Sequence, residues 1–110
     1  MTIYHATTPK KENRYHNSGA ILSPVRGFTT MEAAMMWALK TGRTIIYKVD
    51  GEKAYKLPDH HNSLGEAWWI DCNISINNIK RIAVKQSLNN KIKDKSDLLN
   101  SVTEHFTIII

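Results

Sequence analysis

The sequence is poor in cysteine, in long apolar runs and in repeats. Its single cysteine, Cys72, excludes a disulfide within the chain and fits a reducing compartment, which predicts a cytoplasmic protein. No run of about 18 apolar residues is present, so neither a membrane span nor a membrane partner is expected. The N-terminus has no basic and then apolar leader, so secretion is not expected. Without repeats or linker-like segments, the 110 residues (1–110) are expected to form a single domain.

Acidic side chains are outnumbered. The chain has fifteen Lys and Arg against ten Asp and Glu, which gives a net charge of +5. Apolar residues make up 42% of the chain, which is enough to form a core. Much of the basic excess lies in the segment 80–95 and in Lys10, Lys11, Arg14 and Arg26. Such a balance favours anionic partners, namely dinucleotides, an acidic protein surface, or nucleic acid bound through 80–95. Solubility alone explains the same excess, and both interpretations stay open.

One helix is clearly predicted, over residues 30–40. Thr29 is placed to cap its N-terminus, and Glu32 lies at capping-box spacing. Gly42 follows where a left-handed residue ends many helices. Apolar side chains recur on one face at helical period, which predicts ordinary core packing. They are Met31, Ala34, Met35 and Ala38.

The remaining pattern is dominated by strands. Runs of β-branched and aromatic residues predict strands at 2–6, 44–49, 53–57, 67–71, 79–84 and 105–110. Asp50-Gly51 predicts a hairpin between the second and third of these. Residues 8–19 are expected to form a loop with room for one helical turn, and a short helix is expected near 96–102. The connections are too short for repeated βαβ crossovers, so we predict an α+β fold around a mainly antiparallel sheet.

Four separated motifs carry a resemblance to a known family. They are Tyr4–Thr7, the stretch 28–34, the strand 42–49 that follows a glycine, and Glu66–Asp71. In this order and spacing they resemble the ADP-ribosyltransferases of the diphtheria-toxin and poly(ADP-ribose)-polymerase type. The resemblance covers roughly residues 2–84. It implies a small split antiparallel sheet with one main helix after the second strand.

The resemblance also implies a reaction. It implies that NAD is the substrate and that ADP-ribose passes to a macromolecular acceptor, with a protein expected ahead of a nucleic acid. The oxocarbenium-like transition state resembles that of glycoside cleavage. The catalytic residues implied are Glu66, which would hydrogen-bond the ribose 2′-hydroxyl, and His5, which would orient the adenosine ribose. The residues implied to contact the cofactor are His5, Ala6, Thr7, Arg14, Gly27, Phe28 and Thr29.

Each of these implied contacts has its own chemistry. Thr7 and Arg14 are expected beside the diphosphate, since a guanidinium fork suits phosphate oxygens. The backbone around Gly27 is expected at the nicotinamide amide. The family often has tyrosine at that position, so stacking on nicotinamide either comes from Phe28, Tyr15 or Trp37 or is absent. Ala6 stands where the family commonly has glycine.

Other functions remain open. An inactive member of the fold would be a small basic protein that binds and inhibits a protein or nucleic-acid partner through 80–95. A nucleic-acid-binding module would bind with steep salt dependence. RNA 2′-phosphotransferases share the fold and use NAD, and they require basic residues around the RNA phosphate. Only Arg14, Arg26 and Arg43 are available for that task.

Metal chemistry is not expected. His60 and His61 are adjacent, with Cys72 and His105 as conceivable further ligands. This spacing matches no standard zinc pattern. Cys72 also has no evident base partner, so a cysteine nucleophile is not predicted.

Overall fold

A computed structural model describes residues 2–51, 54–58, 65–86 and 102–109. The helices are α1 (Pro9–Ser18) and α2 (Met31–Thr41), and short 3-10 turns span Ile76–Asn78 and Val102–His105. The strands are β1 (Thr2–Thr7), β2 (Ala20–Ile21), β3 (Val25–Phe28), β4 (Ile45–Asp50), β5 (Ala54–Lys56), β6 (Ala67–Ile70), β7 (Ile74–Ser75), β8 (Ile79–Lys85) and β9 (Phe106–Ile108). Within these ranges no helix is long and apolar enough to cross a membrane.

The main sheet has seven strands in the order β5-β6-β3-β1-β4-β8-β9. All of its neighbouring strands pair antiparallel. The predicted α+β class around an antiparallel sheet is therefore confirmed. The seven strands bond as one sheet in place of the expected two halves, and β2 pairs with β7 in a separate small sheet.

The core lies on both faces of the main sheet. Helix α2 covers one face, and α1 with the β2–β7 sheet lies over the other. Alternation along the strands decides which side chain faces which layer. On the α2 side the buried residues include Ala6, Phe28, Met35, Ile46 and Ile82. On the α1 side they include Ile3, Val25, Ile45, Tyr47, Val49 and Ile70, so the predicted shared face of Ile45, Tyr47 and Val49 is confirmed.

The predicted helix at 30–40 is present, but its N-cap is Thr30. The Thr30 hydroxyl accepts a hydrogen bond from the Ala33 N–H at 3.2 Å. The N–H of Thr29 instead donates to the Glu66 carbonyl at 3.1 Å, which continues the β3–β6 ladder by one residue. The helix therefore begins one residue later than predicted. Gly42 ends it with φ 75°, as expected.

Gly42 provides a direct test of this helix end. Gly42→Ala is expected to lower the free energy of unfolding by about 1 kcal/mol, because a Cβ is disfavoured at left-handed φ. No atom lies within 4 Å of a Cβ built there, so the cost arises from the backbone alone. Gly42→Asn should lose less, since asparagine tolerates this conformation. Urea unfolding measures both, and equal losses for Ala and Asn would contradict the explanation.

The loop predicted at 8–19 is wrong, because Pro9–Ser18 form a ten-residue helix. The Thr8 hydroxyl accepts from the Lys11 N–H at 3.2 Å, and Pro9 opens the first turn. Gly19 ends the helix at φ 75°. None of the ten residues is fully buried, so the helix has no apolar stripe for a sequence pattern to reveal.

The hairpin predicted at Asp50-Gly51 is also wrong. Strand β4 is flanked by β1 and β8, so β5 pairs with β6 instead. Neither Asp50 nor Gly51 adopts the positive φ that a type I′ turn requires. Gly51 packs closely on β6, because a Cβ there would lie 2.5 Å from Cδ1 of Ile70. Glycine at this position therefore allows the backbone to lie close to the side chain of Ile70.

The C-terminal strand pairs within the chain. Ile108 of β9 lies opposite Ala83 of β8, so β9 forms one edge of the main sheet. The prediction that this β-prone segment needs a partner strand is confirmed. The helix predicted near 96–102 lies outside the described residues except for Val102, which opens a 3-10 turn.

Candidate functional site

An open cleft of about 750 Å³ lies between α1, β2 and the strands β1 and β3. Its walls combine one histidine, four cations, one tyrosine and a short apolar stretch. The lining residues are His5, Lys11, Arg14, Tyr15, Asn17, Ser18, Ala20, Ile21, Leu22, Pro24, Arg26 and Arg43. We call this cavity the His5 cleft.

The His5 cleft is strongly cationic. Lys11 and Arg14 come from α1, Arg26 from β3, and Arg43 from the segment after α2. No carboxylate is present among the described residues that line it. Four cations on one concave surface concentrate anions, and guanidinium forks match phosphate oxygens. The three arginines that sequence analysis grouped do share one site, and Lys11 adds a fourth charge.

One part of the cleft lining is apolar. Ala20, Ile21, Leu22 and Pro24 line it. Leu22 is 64% exposed, so most of its surface is available to a ligand. A cleft with an apolar wall and a few placed polar groups is typical of small-molecule sites. Its composition suits a ligand that carries both phosphate and a flat apolar ring.

His5 lies in β1 with both ring nitrogens engaged. Nδ1 is 2.6 Å from the Arg26 carbonyl oxygen, and Nε2 is 3.2 Å from the Tyr15 hydroxyl. A carbonyl oxygen only accepts, so Nδ1 carries the proton and donates to it. In the neutral ring Nε2 is then the acceptor, and Tyr15 donates to it. The backbone of β3 thus fixes the tautomer of His5.

Burial lowers the pKa of His5 to about 4. Desolvation is the largest cause, and the positive charges of Lys11 and Arg43 lower the pKa further. The hydrogen bond to the Arg26 carbonyl raises it in part. His5 is therefore neutral at pH 7.

Glu66 lies outside the His5 cleft. Its side chain is exposed, and Oε1 accepts a hydrogen bond from the Trp68 indole Nε1–H at 2.6 Å. Strand register places His5 opposite Gly27, which pairs with Trp68. By strand alternation Glu66 and His5 share one sheet face. Two strand spacings and a two-residue offset leave roughly 12 Å between their Cα atoms.

Two of the residues implied to contact the cofactor face away from the cleft. Ala6 and Phe28 are buried in the α2 core on the opposite face of the sheet. The Phe28 ring packs 6.3 Å from that of Trp37, and the Arg43 guanidinium lies 5.9 Å from the Trp37 ring centre. Phe28 and Trp37 are therefore not among the described residues that line the His5 cleft. Tyr15 is the aromatic side chain that lines it.

The other implied residues are divided between different surroundings. Arg14 lines the cleft, whereas Thr7 is fully buried and its hydroxyl donates to the Tyr15 hydroxyl oxygen at 3.1 Å. Gly27 is buried in β3. Thr29 lines a separate depression of about 400 Å³ at the start of α2. The structure brings His5, Arg14 and the Thr7–Tyr15 pair together and leaves Thr29 apart.

Sequence analysis missed an ion pair that holds α1 on the sheet. Glu12 Oε2 accepts from Arg81 Nε at 3.0 Å and from the Tyr47 hydroxyl, and Oε1 accepts from the same guanidinium. Burial raises the pKa of Glu12, but the bonds from Arg81 and Tyr47 outweigh it and the pKa falls below its usual value. Sixty-nine residues separate Glu12 from Arg81, so no local pattern signals the pair.

This ion pair also changes the interpretation of segment 80–95. Arg81 is bound to Glu12 and is not free to meet an anionic partner. Lys80 and Lys85 are exposed on β8. Positions 87–95 lie outside the described residues, so the predicted basic surface is described in part.

No cluster of three or more His, Cys, Asp or Glu suited to a metal occurs among the described residues. His60 and His61 lie outside them. Comparisons with protein-family models, with curated proteins and with solved structures found no match to this chain. The function of the protein is therefore inferred from the residues and geometry of the His5 cleft.

Proposed function

We propose that the protein binds NAD in the His5 cleft and transfers ADP-ribose to a macromolecular acceptor, a protein ahead of a nucleic acid. The observation that carries the proposal is the meeting of His5 with four cations in one cleft of about 750 Å³. That volume lies within the range of ligand pockets, roughly 300–1,000 Å³. The exposed, free Cys72 is compatible with the reducing cytoplasm in which we place this activity.

The parts of NAD match the walls of the cleft. Its diphosphate would lie among Lys11, Arg14, Arg26 and Arg43, where fork-shaped and ammonium donors offset its charge. A base would cover the apolar stretch at Leu22 and Pro24. His5, neutral at pH 7, would bond a ribose hydroxyl. The rest of the dinucleotide would extend over Gly27 toward Glu66, roughly 12 Å from His5 along the same sheet face.

The reaction needs one carboxylate at the far end of that path. The bond between nicotinamide nitrogen and ribose C1′ breaks, and nicotinamide leaves with the electron pair. The ribose becomes oxocarbenium-like, and a nucleophile of the acceptor attacks C1′ and loses its proton to solvent. Glu66 would accept a hydrogen bond from the 2′-hydroxyl and stabilise the developing positive charge. The indole N–H of Trp68 would hold that carboxylate in place.

Calorimetry with NAD and a parallel assay of nicotinamide release test the proposal. We expect wild-type binding, and we expect Glu66→Gln to bind NAD yet release nicotinamide about 100-fold more slowly. His5→Ala should weaken binding by about tenfold through one lost hydrogen bond and its unpaired partner. Asp71→Asn, an exposed carboxylate just beyond β6, is the matched control and should change neither quantity. Absence of NAD binding at millimolar concentration would refute the proposal.

A second candidate function follows from the position of Glu66. Because this residue lies outside the cleft and is bonded to Trp68, the fold is also suited to binding without chemistry. The protein would then bind and inhibit a protein or nucleic-acid partner through the cationic cleft and segment 80–95. No release of nicotinamide by the wild-type protein would favour it. A steep loss of affinity with salt would indicate nucleic acid.

A further inference from the structure

His5 has no free acceptor in this structure. Its Nδ1–H is used by the Arg26 carbonyl at 2.6 Å, and its Nε2 accepts from the Tyr15 hydroxyl at 3.2 Å. A neutral imidazole offers one lone pair in the ring plane, so Nε2 accepts one good hydrogen bond. The reverse tautomer would set an unprotonated Nδ1 against a carbonyl oxygen, and two acceptors repel. A ligand hydroxyl and Tyr15 therefore compete for the same atom.

The Tyr15 hydroxyl is oriented toward His5 by a buried donor. Thr7 is fully buried, and its hydroxyl donates to the Tyr15 oxygen at 3.1 Å. With that oxygen accepting from Thr7, the proton of Tyr15 is directed at Nε2. The Tyr15 ring is tilted against the rings of His5 and Tyr47, each 6.2 Å away, which fixes its place. The contact is thus built from three elements: β1, α1 and β4.

We propose that the Tyr15 hydroxyl is a built-in competitor for the ligand, and that a ribose hydroxyl binds His5 by displacing it from Nε2. The naming of ribose rests on the proposed function, whereas the competition rests on the hydrogen bonds alone. Tyr15 thereby sets the affinity of the cleft for ribose-bearing ligands and acts as a positioning residue. It holds His5 in the tautomer whose Nε2 accepts, until the ligand takes its place.

The surroundings of Tyr15 permit such a displacement. Helix α1, which carries it, has no fully buried residue and lies beside the open cleft. The 3.2 Å bond to Nε2 is at the long end for hydrogen bonds of this kind. A displaced Tyr15 hydroxyl keeps its bond from Thr7 and turns its own proton toward the open cleft, where solvent accepts it. The exchange therefore leaves no buried polar group unpaired.

Tyr15→Phe is the variant that tests the proposal, with ADP-ribose and inorganic pyrophosphate as probes in calorimetry. ADP-ribose carries ribose hydroxyls, whereas pyrophosphate meets only the cations. Loss of the competing hydroxyl should tighten ADP-ribose binding by about two- to tenfold, the value of one hydrogen bond. Pyrophosphate affinity should stay unchanged. Unchanged or weaker ADP-ribose binding by Tyr15→Phe would overturn the proposal.

Two further variants locate the effect. Thr7→Ser keeps the hydroxyl that orients Tyr15, so it should leave ADP-ribose affinity at the wild-type value. In a His5→Ala background, Tyr15→Phe should no longer tighten binding, because the shared acceptor is gone. A gain that persists without His5 would show that Tyr15 acts elsewhere, and it would also overturn the proposal. Thermal unfolding of each variant verifies that the proteins compared are folded.

Nitrogen NMR of the His5 ring separates this proposal from the proposed function. In the free protein we expect a proton on Nδ1 and a hydrogen-bonded lone pair on Nε2, and Tyr15→Phe should alter the Nε2 signal. ADP-ribose binding that tightens in Tyr15→Phe, without nicotinamide release from NAD, would support the competition and refute the transferase. An ADP-ribose affinity that is the same in the wild type and in Tyr15→Phe would refute the competition alone. Absence of ADP-ribose binding by both proteins at millimolar concentration would refute both.

Discussion

Gly27→Ala is expected to lower the free energy of unfolding by about 3 kcal/mol, the upper end of the usual cost of overpacking. A Cβ at this position would lie 2.5 Å from the Tyr4 carbonyl oxygen and 3.0 Å from Cδ1 of Ile3. Strand β3 lies between β1 and β6, so it cannot retreat from β1 without disturbing both ladders. The first obstacle is backbone, which has no other rotamer to adopt.

Urea unfolding followed by circular dichroism measures this loss. Arg26→Ala is the matched control, since its side chain is exposed on the same strand and its removal should cost less than about 0.5 kcal/mol. If the two variants lost the same stability, the close approach of β1 and β3 would not be what requires glycine. Loss of structure in the whole sheet would agree with the prediction, because β1 and β3 are central strands.

The same close approach explains a departure from the family pattern. The ADP-ribosyltransferases that the sequence resembles often have tyrosine where this chain has Gly27. Here the neighbouring β1 backbone occupies the space that any side chain at this position would need. Phe28, the next residue, faces the α2 core. Any stacking on a ligand in the His5 cleft therefore falls to Tyr15, which reaches it from α1.

Sequence patterns predicted those parts of the fold whose signals are local. Helix α2 combines an apolar stripe with a threonine cap and Gly42, and its existence and C-terminus were predicted correctly. Strands β1, β4, β6 and β8 each carry alternating β-prone residues and were found close to the predicted positions. His5 and Arg14, taken from the resemblance and from charge, do share one cleft.

The parts that failed depend on contacts between distant segments. Helix α1 has no apolar stripe that a sequence pattern could reveal. It is held against the main sheet by the ion pair of Glu12 with Arg81 and by the hydrogen bond of Tyr15 with His5. Asp50-Gly51 is a strong local hairpin signal, but β8, which lies later in the chain, pairs with the edge of β4 where the hairpin partner was expected. The cleft also joins Lys11 to Arg43, which no spacing along the chain relates. Local chemistry does not encode such pairings.

The stability of the protein is expected to fall as the pH drops from 6.5 to 4, and His5 is one group that contributes to this loss. Burial, together with the positive charges of Lys11 and Arg43, holds the pKa of folded His5 at about 4, against its usual 6.5. Below pH 6.5 His5 is protonated in the unfolded chain, whereas in the folded protein it is protonated only near pH 4. The unfolded state then binds more protons, so unfolding becomes easier as pH falls. Below pH 4 both states are protonated and this contribution levels off.

Across that window His5 is expected to lower the free energy of unfolding by roughly 3 kcal/mol, a value that follows from the difference between its two pKa values. His5→Gln keeps an N–H for the Arg26 carbonyl and cannot titrate, so it should lose this pH dependence. Urea unfolding of both proteins at pH 7, 6, 5 and 4 gives the comparison, since carboxylates contribute equally to the two curves and cancel. Parallel curves would contradict a buried neutral His5. Curves that diverge between pH 6.5 and 4 would show that the folded chain keeps an uncharged histidine among four cations.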